Sequence, residues 1–528
     1  MPITEIKRAG LAAAVKVARQ RSTAGRFSQR NMATAVDVTA KLTDKSLFKQ
    51  TALVGAQQVT SSKVFEVTDP ATQAVIGTVP DLDVAAVDAA IDTAHDAFVS
   101  FRGTSPFERA RVLQRWNALM LENIDDLATI LTYENGKPLA EAKGEIRYSA
   151  SFLEWFAGEA PRAYGDVLNT SVSGHRALTI KQPVGVVSVL TPWNFPAAMI
   201  TRKVSAAVAA GCTVVIKPDA ETPYSALALA ELARRAGVPD GVLNVVTTKT
   251  ALAEVGQLMC ADERVKKLSF TGSTAVGKLL MAQSSASLKK LSFELGGNAP
   301  FIVFDDVDVD EAVAALVACK FRGSGQTCVC ANRVLVHTRV YDEFVEKLVR
   351  AVSGFTVGNG FADGVTHGPL IHARALDKVT HHVADAVAHG GEIRIGGSKL
   401  PGVGKLFFAP TVVANATPAM AVAHEETFGP LAAVFRFETE NEALALANDA
   451  DVGLASYVIT NDVRRALRVA ESLQFGMVGV NTGIISDCAT PFGGVKFSGF
   501  GREGSKYGME EYMVVKTVTL GGMPPYAS

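Results

Sequence analysis

Residues 184–190 are apolar on both faces, interrupted only by Gly185 and Ser188. A strand with no polar side is stable only where other elements cover both of its faces, as in a parallel sheet. The chain that follows repeats the demand. Residues 196–210 have helical periodicity, 213–216 form a strand, 225–236 a helix closed by Gly237, 242–246 a strand, 251–259 a helix and 267–270 a strand. Such alternation predicts a doubly wound α/β sheet with a nucleotide-sized crevice at its strand ends. After Gly296-Gly297 the pattern restarts with 301–304, 309–321, 334–337 and 342–352. It continues at 431–437, 442–448, 456–460, 463–472 and 477–480. A second α/β unit is expected there, with the boundary near Gly296. Upstream, 63–79 reads as a hairpin, and 83–98, 107–131 and 146–159 read as helices. Two apolar strands, 177–182 and 513–520, fit neither pattern. An exposed apolar strand has to pair with something, so they predict a subunit-pairing element and a homo-oligomer, dimer or tetramer.

At 528 residues the chain exceeds one ordinary core. A net charge of −1 gives no electrostatic footprint for nucleic acid. The longest apolar run, 204–216, falls short of the ~18 residues a membrane helix needs, so no membrane partner is expected. Six cysteines without framework spacing suggest a reducing compartment. From Ile6 to Val36 there is no acidic residue, while Lys7, Arg8, Lys16, Arg19, Arg21, Arg26 and Arg30 are basic. That is transit-peptide composition. Residues 1–40 are read as a mitochondrial presequence, removed between Arg26 and Ala40 and delivering the protein to the matrix. The alternatives are a disordered basic tail, or a shorter cytoplasmic form started at Met32.

The chemistry-bearing segments lie where strands end. Residues 321–333 read Phe-Arg-Gly-Ser-Gly-Gln-Thr-Cys-Val-Cys-Ala-Asn-Arg. Gly323 and Gly325 flank a tight turn, and Cys328 follows it, well presented for attack. The competing reading is a buried cysteine acting as a small hydrophobe. Residues 269–278 (Ser-Phe-Thr-Gly-Ser-Thr-Ala-Val-Gly-Lys) form a strand, a small-residue turn and a helix start, where backbone N–H groups can take a phosphate. Gly272 and Gly277-Lys278 match most of a P-loop. The match fails at Leu279, which cannot replace the hydroxyl that holds Mg²⁺. Residues 191–196 (Thr-Pro-Trp-Asn-Phe-Pro) place the amide of Asn194 at the ligand-binding edge of the sheet; a plain Asx-stabilised turn is the alternative. Residues 293–298 put Glu294 beside two glycines, where an apolar setting would raise its pKa and suit it to act as a base; a solvated loop carboxylate is the alternative. Cys328 and Cys330 lack the further ligands of a zinc site, so no metal is expected. They could instead form a reversible disulfide.

Taken in order, TPWNFP at 191–196, KP at 217–218, FTGSTAVG at 270–277, FELGG at 293–297, GQTC at 325–328, EETFGP at 425–430 and PFGGVKFSGFGREG at 491–504 resemble the aldehyde dehydrogenase superfamily from about Lys63 onward. ITRKV at 200–204, KFR at 320–322, GQTCVCANR at 325–333 and the Ser486 loop are similar to its succinate-semialdehyde branch. The resemblance implies a fold of two doubly wound, Rossmann-like domains plus a small β oligomerisation element. Residues 41–170 and 184–296 would bind the dinucleotide, 297–510 would carry catalysis, and 171–183 and 511–528 would pair subunits.

The resemblance further implies that Cys328 is the nucleophile and Glu294 the general base. Asn194 and the Cys328 N–H would form the oxyanion hole. Trp193, Lys217, Ala220, Gly272, Ser273, Gly277, Glu426 and Phe428 would line the cofactor site, Lys203 and Glu503 would relay protons, and Arg202, Arg322 and Ser486 would hold a substrate carboxylate. The implied reaction is oxidation of succinate semialdehyde, the partner being a small-molecule aldehyde. The alternatives are glutarate semialdehyde, another ω-carboxy aldehyde, or aldehydes in general. Ala220 stands where relatives that prefer NAD commonly carry a glutamate that would repel a 2′-phosphate. That permits NADP or dual use of NADP and NAD, although Glu221 is one residue away. Gly323-Ser324 replaces an expected Asn-Thr, which leaves the turn looser and the aldehyde chain length open.

Overall fold

The computed structural model describes residues 36–524. The expected presequence therefore lies outside the described residues up to residue 35. Its last residues, 36–40, are folded: Asp37 caps the short 3₁₀ turn Val38–Lys41, and Val38 is buried in the core.

The first sheet has eight strands, in the order Gln57–Val59, Ala52–Val54, Leu243–Val245, Thr213–Lys217, Val186–Leu190, Val265–Thr271, Lys290–Glu294 and Gly499–Phe500. The five central strands run parallel, and the edges are closed by antiparallel partners. Val186–Leu190 is buried at every position, as its lack of a polar face requires. The second sheet has seven strands and is parallel apart from Glu392–Ile395 at one edge. Its central strand, Ala331–His337, leads directly out of the Cys328 turn. Both sheets have doubly wound order, with the chain crossing over between non-neighbouring strands.

Met513–Leu520 pairs antiparallel with Arg176–Pro183, which also pairs with Val167–Asn169, giving a separate three-stranded sheet. The expected hairpin is present as Val64–Thr68 against Val75–Pro80. The helical periodicity over 107–131 is two helices, Pro106–Glu122 and Ile124–Asn135, because Asn123 leaves helical geometry at φ −106°, ψ 24°. The helix expected from residue 146 begins at Leu139, directly after Pro138, and so includes Gly144. Gly499–Phe500, far along the chain, adds itself to the first sheet beside Lys290–Glu294. The sequence pattern of the second unit showed no such return.

Candidate active site

The Val309–Lys320 helix is capped by Asp308, whose carboxylate accepts from the N–H groups of Asp310 and Glu311. It is followed by three left-handed residues in succession: Gly323 (φ 59°), Ser324 (φ 55°) and Gly325 (φ 75°). For a serine that conformation costs about 1–2 kcal/mol. It is held by the Ser324 hydroxyl donating to the Gly368 carbonyl at 3.0 Å. A Cβ on Gly325 would collide with the Gly429 carbonyl, so glycine alone lets this turn touch the 425–430 loop. Gln326 completes the frame, donating to the Gly323 and Pro369 carbonyls and accepting from the Ile371 N–H.

Val186–Leu190, Val265–Thr271 and Lys290–Glu294 are neighbouring parallel strands. Their C-terminal ends therefore deliver the 191–197 loop, the Gly272-Ser273 turn and Glu294 to one edge. There Cys328 lines a cavity of about 210 Å³ with Trp193, Asn194, Gly272, Ser273, Glu426 and Phe428. Ser273 caps the Thr274–Ser284 helix, its hydroxyl accepting from the Val276 N–H. A Cβ on Gly277 would run into the Leu295 side chain, so glycine lets this helix pack on the strand end. Asn194 Nδ2 donates to the Gln326 carbonyl at 3.1 Å, and its Oδ1 has no partner among the described residues. Lys217 ends its strand opposite Leu190. Lys217 and Ala220 lie outside the cavity around Cys328.

The buried charges set the chemistry. Burial pushes the Cys328 thiol up to about 12, with Arg202 pulling the other way. Glu294 is buried, and neither of its carboxyl oxygens has a partner among the described residues. Burial and then Glu503 hold its pKa well above the ordinary carboxyl range. Glu426 is raised to about 7 by burial, against the Gly297 N–H. Burial also lowers Lys217. Lys203 donates to Thr271 Oγ1 at 2.7 Å and pairs closely with Glu503, which Arg202 Nε meets at 2.5 Å. Burial works against the Glu503 carboxylate, but Lys203 and Arg202 hold its pKa low.

The two arginines differ. Arg202 is buried, paired with Glu503, and lies 4.0 Å over the Phe492 ring. Arg322 is half-buried, lies 4.9 Å over the Phe195 ring, and has no carboxylate partner among the described residues. Ser486 is half-buried in the 481–491 loop, with no hydrogen bond joining it to either arginine among the described residues. Cys328 and Cys330 are free thiols, the second buried.

A model of the aldehyde dehydrogenase family matches residues 57–518. The chain belongs to this family. It is 54% identical over 496 residues to succinate-semialdehyde dehydrogenase (NADP+) 1 of Schizosaccharomyces pombe, covering 93% of this chain and 99% of that protein. It is 54% identical over 479 residues to the mitochondrial succinate-semialdehyde dehydrogenase of Rattus norvegicus, covering 90% of this chain and 91% of that one. The solved structure of succinate-semialdehyde dehydrogenase from Burkholderia pseudomallei is 53% identical, with a TM-score of 0.90, over 91% of this chain and 99% of that chain.

Within this aldehyde dehydrogenase, several residues near the site went unread in the sequence. Tyr148 sits within electrostatic reach of Arg202, Arg322 and Cys328, and burial raises its hydroxyl pKa. Its ring lies 4.9 Å from Phe152, one helical turn on. That i, i+4 aromatic pair was the available signal, and it looks the same as core packing. Phe195 was visible only as part of a motif, and its place against Arg322 depends on a residue 127 positions away. Lys137 and Glu145, which pair at 2.5 Å, have no signature in sequence at all.

Proposed function

We propose that this aldehyde dehydrogenase oxidises succinate semialdehyde to succinate with NADP or NAD. The observation that carries the substrate half is Arg322, a guanidinium beside the nucleophile turn that no carboxylate of the described residues satisfies. A guanidinium stays charged and matches a carboxylate with paired hydrogen bonds. The relatives' names agree with that choice. Arg322 lies over the Phe195 ring, and Tyr148 is within electrostatic reach of both Arg322 and Cys328.

Cys328 attacks the aldehyde carbon. Its thiol is held near 12, so it needs a base at the moment of attack. Glu294, buried and unpartnered, fills that role. Asn194 Nδ2 and the Cys328 N–H stabilise the resulting oxyanion; losing one such donor costs about 3 kcal/mol. The nicotinamide coenzyme, when bound, accepts the hydride that leaves this carbon. The acyl group then sits on Cys328 as a thioester, and Glu294 activates the water that releases the acid. Lys203 and Glu503 carry the proton away from Glu294.

The residues fit such a coenzyme. The Gly272-Ser273 turn opens the Thr274–Ser284 helix toward the cavity, which suits a pyrophosphate. Glu426 would hold the nicotinamide ribose, with Phe428 and Trp193 beside the ring. Lys217 would reach the adenosine ribose. Use of NADP is supported by Ala220, which has no carboxylate of its own; around the neighbouring Glu221, the Asp219 carboxylate is opposed by Lys249, His372 and Arg374. Under peroxide, Cys330 would close a disulfide with Cys328. A mitochondrial matrix location is supported by the acid-free basic stretch and by the rat relative's name.

The test compares kcat/KM for succinate semialdehyde, glutarate semialdehyde and butanal, with NADP and with NAD, on protein lacking the basic N-terminal stretch. A preference of ~100-fold or more for succinate semialdehyde over butanal is expected from a charged clamp. Equal values would leave the aldehyde chemistry and remove the carboxylate clamp.

A further inference from the structure

The side chains of Asn135 and Lys137 end on the backbone of the loop that carries Asn194. Asn135 Nδ2 donates to the Trp193 carbonyl at 2.9 Å. Lys137 Nζ donates to the Asn194 carbonyl at 2.9 Å and to Glu145 Oε2 at 2.5 Å. The second oxygen, Glu145 Oε1, accepts from the N–H groups of Ala197 and Ala198 at 3.0 and 3.4 Å. It therefore caps the Ala198–Ala210 helix, whose own N-cap, Ala197, has no side chain that could do so. The Lys137 and Glu145 side chains are 3% and 1% exposed. The ammonium also lies 4.1 Å over the Phe195 ring, the ring that Arg322 covers at 4.9 Å.

The backbone that presents Lys137 is itself fixed. The Ile124–Asn135 helix ends on Gly136 at φ +85°. A Cβ on Gly360 would lie 2.5 Å from the Lys137 carbonyl oxygen, and one on Gly368 would collide with the Gly136 carbonyl. A second segment is thus pressed against this turn at two glycines, and the turn has little room to move.

A buried ion pair is a poor way to gain stability, because desolvation cancels most of the attraction. It is a good way to fix peptide planes, since charged hydrogen bonds are short and directional. Asn135 holds the peptide plane before Asn194, Lys137 the plane between Asn194 and Phe195, and Glu145 the start of the helix that carries Arg202 and Lys203. We propose that Lys137, held by Glu145, is a positioning residue. It sets the 193–197 loop so that Asn194 Nδ2 meets the oxyanion and Phe195 lies under Arg322. The inference rests on the oxyanion role given to Asn194 above.

The test is a double-mutant cycle on kcat with saturating succinate semialdehyde and NADP. One arm combines Lys137→Met with Glu145→Gln, so that no unpaired charge is left buried; the other is Asn194→Ala. Folding is followed by circular dichroism, and NADP affinity by fluorescence titration. The paired variant should lose ~100-fold in kcat, as a misplacement near 1 Å does. Its NADP Kd should stay within ~2-fold, and adding Asn194→Ala should cost under ~3-fold more, because the two act through one group. If the paired variant does not fold, Lys137→Leu with Glu145→Gln, which also leaves no buried charge and keeps an acceptor for the Ala197 N–H, carries the same cycle. A paired variant with wild-type kcat overturns the inference. So do losses that multiply in the Asn194→Ala background, since they place the effect in general packing. If Asn194→Ala itself keeps wild-type kcat, the oxyanion reading falls and this inference falls with it.

Discussion

At the scale of single residues, Arg202 is bound to Glu503 while Arg322 lies over the Phe195 ring. Arg202 and Arg322 both read as carboxylate holders, but only Arg322 is without an acid among the described residues. Arg322→Leu should therefore raise KM for succinate semialdehyde ~100-fold and leave butanal turnover and thermal stability nearly unchanged. Arg202→Leu leaves the buried Glu503 with Lys203 as its remaining cation, and removing one member of a buried charge cluster is destabilising. A fall in melting temperature of several degrees is expected for Arg202→Leu and not for Arg322→Leu; equal behaviour of the two would erase the distinction. The base role proposed for Glu294 needs its unprotonated form, and its pKa is raised by burial and then by Glu503. Turnover should rise with pH on the alkaline side of the ordinary carboxyl range. Glu294→Gln should flatten that rise and give one burst of reduced coenzyme before stalling, as stopped-flow absorbance would show. Steady turnover after the burst would take the deacylation step away from Glu294.

At the scale of elements, buried carboxylates replace the usual helix caps in two places. Glu145 caps the Ala198–Ala210 helix. Glu134 accepts from the Tyr224 and Ser225 N–H groups at 2.7 and 2.8 Å, capping Pro223–Ala236. Burial lifts Glu134 to about 8, above its ordinary 4.5. The folded state thus favours the protonated carboxyl. Its contribution to stability is complete below the ordinary value and is lost as pH rises through about 8. The stability lead of the wild type over Glu134→Gln should then be larger at about pH 5.5 than at about pH 8.5 in urea unfolding. A lead that grows with pH would contradict the raised value. The Cys328 turn makes a related point: Gly325 serves contact with Gly429, so its requirement for glycine is tertiary as well as local.

At the scale of the whole molecule, the three-stranded sheet of Met513–Leu520, Arg176–Pro183 and Val167–Asn169 exposes Val167, Val515, Val514 and Ile180. Met513–Leu520 is an eight-residue strand paired on one side only among the described residues. A long apolar edge of this kind needs a partner. The expectation that copies of this chain pair through a strand rests on this edge. Val515→Asp should shift the protein to a smaller species in light scattering, with little change in the circular dichroism spectrum. An unchanged mass would place the assembly surface elsewhere.

Sequence alone determined the α/β class and the strand ends, and it picked out the segments that meet at the edge of the first sheet. Burial on both faces of strands such as Val186–Leu190 leaves a local apolar signature, and the Cys328, Glu294 and Asn194 segments each sit at a strand end or turn. Tertiary structure decided the rest. Whether Arg202 or Arg322 is free depends on Glu503, which arrives from 301 residues beyond Arg202. The backbone carbonyl of Asn194 is held by Lys137, 57 positions before it. The last strand of the first sheet comes from Gly499–Phe500. Periodicity records which side of an element is buried, but pairing energies belong to groups that meet only when distant segments close on one another. No local pattern encodes which charge will find which partner.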